Sequence, residues 1–177
     1  MEGYPEFMKA TNMKGQVSAQ EGDDATFFLS KEWCKLEIPS ASMASNARSL
    51  AKLGLFMANR GSFDDKSLLS EQAFENLHSE SKKDCLNRRG AVMNFTKGGF
   101  AQYQVYPAET ELQAQSNSQM NEGREGFYGW SGFGGSIFQW HPELQISFAY
   151  VPYEANFADL SNTRGKTLQV AVVNCIE

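Results

Sequence analysis

The stretch GWSGFGGSIFQWHPELQISFAYVPY, residues 129–153, decides how the second half of this sequence should fold. Apolar and polar residues alternate on both sides of His141-Pro142-Glu143, and such alternation is typical of strands that bury one face. A proline between two alternating runs favours a hairpin turn. We therefore predict an antiparallel strand pair. The glycine-rich segment before it could be a bulge that allows close packing, or the wall of an active site.

Two helices are predicted upstream of this strand pair. In NARSLAKLGLFMANRG the apolar residues recur at helical spacing, with Ser45 as the N-cap and Gly61 as the end of the helix. In LLSEQAFENLHSE, Ser70 is the predicted N-cap and Glu71 lies in the first turn, where a negative charge is favourable. The short polar segment SFDDK joins the two helices.

The remaining segments complete an α+β fold, an antiparallel sheet with flanking helices. AVMNFTKGGFAQYQVY alternates as a strand does, whereas AETELQAQSNSQMNEGREG is predicted to be a polar loop. The tail ADLSNTRGKTLQVAVVNCIE is predicted to be a terminal helix on the sheet. The residues at helical spacing that would form its buried face are Leu168, Ala171 or Val172, and Cys175.

Composition excludes several classes of function. The formal net charge is -5, so the average surface would repel nucleic acid and anionic membranes. No apolar run approaches the roughly 20 residues that span a bilayer. Cys34, Cys85 and Cys175 are an odd number without metal-like spacing, which favours reduced thiols and a cytoplasmic protein. We expect no nucleic-acid or membrane partner, no metal site and no cofactor.

The pattern Ser-x-x-Lys, in which a lysine can deprotonate a serine on the same helical face, marks one class of acyl-transfer enzymes. It occurs twice, as Ser49…Lys52 inside the first predicted helix and as Ser79…Lys82 at the lysine-rich end of the second. Neither match lies at the start of a buried helix, and chance matches are expected with 16 lysine and arginine residues. We therefore predict no catalytic residue in this chain. The alternative is a small serine esterase that uses Ser49 with Lys52.

Residues 40–153 resemble the C-terminal half of the serine β-lactamase-like family, which includes class C β-lactamases, penicillin-binding proteins, related carboxylesterases and the eukaryotic β-lactamase domain proteins. The resemblance rests on NARSLAKLGLFMANRG, DDKSLLSEQAFENLHSE and above all GWSGFGGSIFQWHPELQISFAYVP. In the family the equivalent strand carries Lys-Thr-Gly, His-x-Gly or Trp-x-Gly, followed by a turn and a second apolar strand. Trp130-Ser131-Gly132 is similar to the tryptophan form, found in the esterase-like branch.

The resemblance implies a partial β-lactamase/transpeptidase-like fold, with residues 1–177 as a single but incomplete domain. We expect a loosely ordered lead-in at residues 1–30 and a helical part at residues 40–90. Residues 91–177 are expected to supply the strands and the terminal helix.

The resemblance also implies a substrate site. Its wall would consist of Trp130, Ser131, Gly132 and Phe133, with the Phe133 N–H directed at the oxygen that becomes negative during acyl transfer. Tryptophan replaces the lysine that could bind a β-lactam carboxylate, so the expected ligand is a small ester or amide rather than a penicillin. Lys97-Gly98-Gly99 is a second candidate for the motif and ranks lower, because no hairpin pattern follows it.

The nucleophile of the family is missing from this sequence. The family needs a Ser-x-x-Lys at the start of a buried helix and a Tyr-x-Asn, both upstream of the part resembled, and Tyr-x-Asn occurs nowhere in the chain. We therefore expect a truncated relative that is noncatalytic alone. Its sheet would lack the N-terminal strands of the family. The open edge is expected to bind an N-terminal half, to self-associate, or to act as a binding and assembly surface.

Overall fold

The computed structural model describes residues 43–86, 90–132, 134–153 and 161–176. It also describes six isolated positions: Lys31, Lys35, Glu37, Pro39, Asn156 and Asp159. The predicted lead-in at residues 1–30 lies outside the described residues, and so does Phe133, the fourth residue of the predicted substrate wall.

The described residues form four helices and eight strands, which confirms the α+β class. The helices are α1 (Ala47–Ala58), α2 (Glu71–His78), α3 (Glu111–Asn121) and α4 (Thr163–Val173). The strands are β1 (Ser62–Phe63), β2 (Lys66–Ser67), β3 (Glu80–Leu86), β4 (Val92–Thr96), β5 (Ala101–Gln102), β6 (Tyr128–Ser131), β7 (Ile137–His141) and β8 (Ile146–Tyr150). No helix among these has the length and apolar character that crossing a membrane requires.

Six strands form one antiparallel sheet in the order β3-β4-β5-β6-β7-β8, so each strand lies beside its neighbours in sequence. β1 and β2 pair separately as a small hairpin between α1 and α2. The strand pair predicted around His141-Pro142-Glu143 is confirmed as β7 and β8, and its register places Phe138 opposite Ala149. Gln145 adopts the left-handed conformation in the connecting turn, with φ at 55°.

α1 covers one face of the sheet, which we call the first face. Its N-cap is Asn46, whose side chain accepts a hydrogen bond from the Ser49 N–H at 3.0 Å. The predicted cap, Ser45, is therefore wrong by one residue. Gly54 allows α1 to approach β8, because a Cβ at this position would lie only 2.8 Å from the Ser147 Cβ.

Aromatic side chains form the core on the first face. Ser70 is the N-cap of α2, as predicted, and the Ser70 Oγ accepts a hydrogen bond from the Ala73 N–H at 3.2 Å. Trp140 of β7 is 1% exposed and packs with Met57 and Ala58 of α1. The partly buried apolar residues that complete this cluster are Phe56, Leu69, Phe100, Tyr128 and Phe138.

α3 and α4 lie over the opposite face, which we call the second face. The buried residues of its core are Ala91, Met93, Ala101, Tyr103, Met120 and Phe127. Gly165 allows α4 to approach β7 and β8, because a Cβ there would lie 2.5 Å from Ile137 Cδ1 and 2.8 Å from Tyr150 Cδ1. The sheet is thus enclosed between two pairs of helices.

The segment predicted to be a polar loop contains α3, so that prediction is wrong. Thr110 caps the helix and accepts a hydrogen bond from the Gln113 N–H at 3.2 Å. Amide side chains attach α3 to β4: Asn117 accepts from the Val92 N–H at 2.7 Å, and Asn121 donates to the Val92 carbonyl at 3.3 Å. Apolar periodicity cannot reveal a helix that packs through such polar contacts.

α4 confirms the predicted terminal helix, but the predicted buried face is wrong. Gly165 and Gln169 are buried, whereas Leu168 is 52% exposed and Val172 45% exposed. Cys175 is exposed as well. The reason is that the sheet offers α4 a buried glutamine as well as apolar side chains, so a glycine and a glutamine make the close contacts.

Candidate functional site

Three of the predicted wall residues, Trp130, Ser131 and Gly132, lie at the end of β6. Trp130 pairs with Phe138 of β7, is 50% exposed, and has its ring centroid 5.8 Å from that of Phe95. Ser131 is the next residue in the strand, and its hydroxyl lies among side chains of the second face, within hydrogen-bond distance of Tyr103 and Gln139. Trp130 is therefore accessible to a ligand, whereas Ser131 is partly buried among interior side chains.

Glycine backbone shapes this strand end. Gly129 has φ at 127°, and a Cβ there would lie 2.2 Å from the Phe138 carbonyl oxygen, so only glycine allows β6 this close to β7. The Gly132 N–H donates to the Ser136 carbonyl at 2.7 Å. Asn162 Nδ2 donates to both carbonyls, at 3.1 Å to Gly132 and 2.9 Å to Ser136. The turn after β6 is thus held to the start of α4.

A chain of buried polar side chains extends from Ser131 across the second face. The Ser131 and Tyr103 hydroxyl oxygens are 3.1 Å apart, and Gln139 Nε2 donates to Ser131 Oγ at 3.1 Å. Gln169 Nε2 of α4 donates to Gln139 Oε1 at 2.7 Å. Gln139, Gln169 and Tyr103 are each 0% exposed, so these bonds lie in the protein interior. They fix the Ser131 side chain from two sides.

The groups around Ser131 cannot remove its proton. Burial raises the pKa of Tyr103 above its ordinary value of 10.0, so the phenol remains protonated at neutral pH. Gln139 has no acid–base chemistry in this range. The nearby guanidinium of Arg124 stacks 5.5 Å from the Tyr103 ring centroid and is a donor only. Ser131 is thus a positioned hydroxyl without a general base among its described neighbours.

The buried polar cluster contains atoms without a hydrogen-bond partner in the described part of the chain. These atoms are Asn121 Oδ1, Gln169 Oε1, Arg124 Nε and Arg124 Nη2. Buried polar groups are normally paired, so each of these needs a physical explanation. The two unpaired atoms of Arg124 are the least favourable of this set, because the guanidinium carries a charge.

Sequence reasoning missed every member of this cluster except Ser131. Gln139 did carry a signal, because it occupies an inward position in the alternating run of β7, between Ile137 and His141. Arg124 and Tyr103 carried none, since each stands in a segment with no recognisable motif. Gln169 was not predicted, because the neighbouring apolar residues indicated a different buried face for α4.

The two Ser-x-x-Lys matches are not brought to this site. Ser49 and Lys52 are both exposed on α1, which covers the other face of the sheet. Ser79 follows the last residue of α2 and Lys82 lies on β3, so the helical face predicted for that pair does not exist. Lys97-Gly98-Gly99 forms the turn between β4 and β5 rather than a strand end.

Both histidines are parts of the packed interior. His78 Nε2 accepts a hydrogen bond from Trp140 Nε1 at 3.0 Å, and His78 Nδ1–H donates to the Phe74 carbonyl at 2.9 Å. These partners select the neutral tautomer. Burial lowers the pKa of His78 below its ordinary value of 6.5, and it lowers the pKa of His141 in the same way.

An open cleft of about 680 Å³ lies beside the start of α4. Its lining residues include Asp159, Ser161, Thr163, Lys166 and Val170. Histidine, cysteine and acidic side chains in the described ranges form no group of three that could hold a metal ion.

The sequence matches no protein-family model, no curated protein and no solved structure. A relation to the β-lactamases is therefore a proposal that depends on the strand end, the sheet and the sequence motif.

Proposed function

We propose that this chain is the C-terminal portion of a β-lactamase-related serine hydrolase of the esterase-like branch, with a partial β-lactamase/transpeptidase-like fold. The chain is noncatalytic alone. Trp130, Ser131, Gly132 and Phe133 form the wall of a site for a small ester or amide, and another segment supplies the nucleophile. The compartment we propose is the cytoplasm.

The observation that carries this proposal is an exposed aromatic ring on a closely constrained strand end. Trp130 offers a half-exposed indole, while Gly129 brings the β6 backbone against β7 and leaves no room for a side chain. The two hydrogen bonds from Asn162 restrain the turn that follows. A restrained wall of this kind suits a small ligand with a flat apolar group, because aromatic faces stack on such groups and little ordering is needed on binding.

The surroundings of Ser131 support a noncatalytic chain. A serine nucleophile needs a base within hydrogen-bonding reach. Ser131 is instead bonded to Tyr103, a phenol whose pKa burial raises, and to the amide of Gln139. The Ser49–Lys52 pair is also poorly suited, since both side chains are exposed to water on α1 rather than enclosed in a site.

The last strand of the sheet supports an N-terminal half as the partner. β8 stands at the end of the described strand order, and all five of its residues are partly exposed. α1 packs against β8 on the first face, and α4 contacts Tyr150 of β8 on the second. A strand added at this edge would extend a sheet whose two faces are already covered. A second copy of the chain could use the same edge.

Labelling with a fluorophosphonate, read by mass spectrometry of the peptides, tests whether the chain is catalytic. We expect no stoichiometric serine adduct on the wild-type chain. An adduct that Ser49→Ala abolishes would establish the small-esterase alternative, and an adduct that Ser131→Ala abolishes would make the wall serine a nucleophile. Either adduct overturns the proposal.

Sedimentation tests the sheet edge. The chain is run alone and with an N-terminal half that carries Ser-x-x-Lys. A heavier complex in the mixture is the expected result. Absence of any complex at high concentration of both partners contradicts the proposal that the edge binds such a half.

A further inference from the structure

The two edge strands of the six-stranded sheet differ in their protection against pairing with another strand. The sequence of β3, ESKKDCL, contains four charged residues. Its register with β4 shifts between Glu80 and Lys82 and again between Lys82 and Cys85. Charges and irregular register are two means by which proteins keep an edge strand from pairing. β8, with the sequence ISFAY, has no charged residue and no proline, and its register with β7 is continuous over five pairs. β8 is thus the unprotected edge.

The outer side of β8 has hydrogen-bonding groups to offer. Among the described strands, β8 pairs with β7 alone, and all five of its residues are partly exposed. Every second residue of an edge strand directs its N–H and carbonyl groups away from the sheet. A further antiparallel strand can therefore bond to β8 without any change in the rest of the sheet.

α4 lies over β7 and β8, with α3 on one side of it. Lys166 Nζ donates to the Ser118 and Gln119 carbonyls of α3, each at 2.8 Å. Gln169 Nε2 donates to Gln139 Oε1 of β7 at 2.7 Å. These contacts fix which side of α4 faces α3 and which side faces the sheet.

Leu168 and Val172 lie on the side of α4 that faces away from α3, and we call these two residues the α4 flank. An α-helix turns by about 100° per residue, so Leu168 is about 200° around the helix from Lys166. Because α3 is attached to β4 and α4 covers the last two strands, the flank lies on the side of the β8 edge. Leu168 is 52% exposed and Val172 45% exposed.

We propose that a second copy of this chain pairs with the β8 edge, β8 antiparallel to β8, and that the α4 flanks of the two copies pack against each other. A twofold axis perpendicular to the sheet pairs two identical strands in this way, and it brings both α4 helices to the same face of the joined sheet. The apolar flank of one copy then covers that of the other.

Charge favours a second copy at this surface. The segments that would meet are ISFAY of β8 and TLQVAVV of α4, and neither contains a charged residue. Each chain carries a formal net charge of -5, so contact between most other parts of two copies would bring like charges together. The pairing of copies rests on the proposed function only for the β8 edge, where an N-terminal half would bind as well.

Sedimentation velocity of the full chain over a range of concentrations tests the pairing. We expect the share of dimer to rise with concentration. Hydrogen exchange at low and high concentration should then show added protection of backbone amides in β8 and none in β3. A chain that stays monomeric at every concentration overturns the proposal, and so does a dimer that protects β3 rather than β8.

Two variants and one control assign the dimer to the α4 flank. Leu168→Lys and Val172→Lys should each raise the dimer dissociation constant about tenfold or more, because cations of the two copies then meet across the twofold axis. Both positions are about half exposed, so a lysine there leaves the core in place. Leu112→Lys is the matched control, a leucine of α3 that is 70% exposed, and it should leave the constant unchanged. The proposal is overturned if neither flank variant weakens the dimer, or if Leu112→Lys weakens it as much.

Addition of an N-terminal half that carries Ser-x-x-Lys separates the two partners of the β8 edge. A chain that is monomeric alone but binds the half overturns the pairing of copies and leaves the proposed function standing. A dimer that persists while no complex with the half forms contradicts the half as a partner and supports the pairing of copies.

Discussion

Helices cover both faces of the sheet, but aromatic side chains fill the first face and the second face also buries a chain of polar side chains. On the first face, Trp140 and its neighbours form an aromatic core in which His78 accepts the indole N–H, and Gln102 Oε1 is buried there without a partner among the described residues. On the second face, Tyr103 and Gln139 belong to a buried polar chain, and Arg124 beside it keeps unpaired donors. The first face is mainly an aromatic core, whereas the second buries more unpaired polar atoms, including those of a charged guanidinium.

The difference between the two faces separates residues whose burial stabilises the fold from residues whose burial costs free energy. Burial of aromatic area on the first face stabilises the chain without any ligand. Unpaired buried polar groups destabilise a protein unless something binds them. Substitutions on the two faces should therefore differ in their cost to stability.

Trp140→Ala should cause the largest loss. Trp140 is 1% exposed, and removal of a buried tryptophan costs about 3–5 kcal/mol of unfolding free energy. Trp130→Ala is the matched control, because that ring is half exposed and its removal should cost far less. Urea denaturation of both variants measures the difference. Equal losses of unfolding free energy in the two variants would contradict a core centred on Trp140 on the first face.

Gly129→Ala should come next. The new Cβ would lie 2.2 Å from the Phe138 carbonyl oxygen at a φ of 127°, so strain and a backbone clash together should cost about 2–4 kcal/mol. Gly99→Ala is the control: its φ is also positive, at 79°, but no atom lies within 4 Å of the added Cβ. Unfolding of both variants at the same urea concentration would contradict the close approach of the β6 backbone to β7.

Gln169→Leu should have a moderate effect. It leaves the buried Gln139 Oε1 without its donor, and such a loss costs about 1–3 kcal/mol. In a double-mutant cycle with Gln139→Leu, we expect a coupling of about 1 kcal/mol, because the second change removes the stranded acceptor. Gln115→Leu on the exposed side of α3 should change stability by less than about 0.5 kcal/mol. Additive effects in the cycle would contradict the bond between β7 and α4.

The smallest effect is the contribution of His78 to pH dependence. Because burial lowers its pKa in the folded chain, the unfolded chain binds the proton more readily, and stability decreases as pH falls below about 6.5. The decrease ends once the pH is below the folded pKa. His141 shifts in the same direction, so the contribution of His78 is the wild-type curve minus that of His78→Asn. Identical pH slopes for the two proteins would contradict the neutral, Trp140-bonded tautomer.

The apolar pattern was sufficient to predict most of the first face. Alternation located β7 and β8, and helical spacing with Ser70 as a cap located α1 and α2, because these elements pack through apolar side chains. On the second face the same patterns predicted the helix α4 but not its buried face, and they missed α3. α3 packs through Asn117 and Asn121, and α4 through Gly165 and Gln169, so their buried faces carry no apolar stripe.

The candidate site was predictable only in part. The motif Trp130-Ser131-Gly132 could be recognised in the sequence. The sequence did not show that Trp130 would be half exposed while Ser131 is bonded to buried side chains. Arg124 joins Tyr103 only through the packing of α3 on the sheet. Contacts between residues so far apart in the chain leave no local pattern to read.

We propose that the strand end of β6 is a ligand wall and that Trp130, rather than Trp140, contacts the ligand. Titration with a phenyl ester, followed through the assigned tryptophan indole N–H signals in NMR spectra, tests it most directly. We expect the Trp130 indole signal to shift saturably while the Trp140 signal stays in place. A titration that leaves Trp130 unmoved, or that moves both indoles equally, would contradict it.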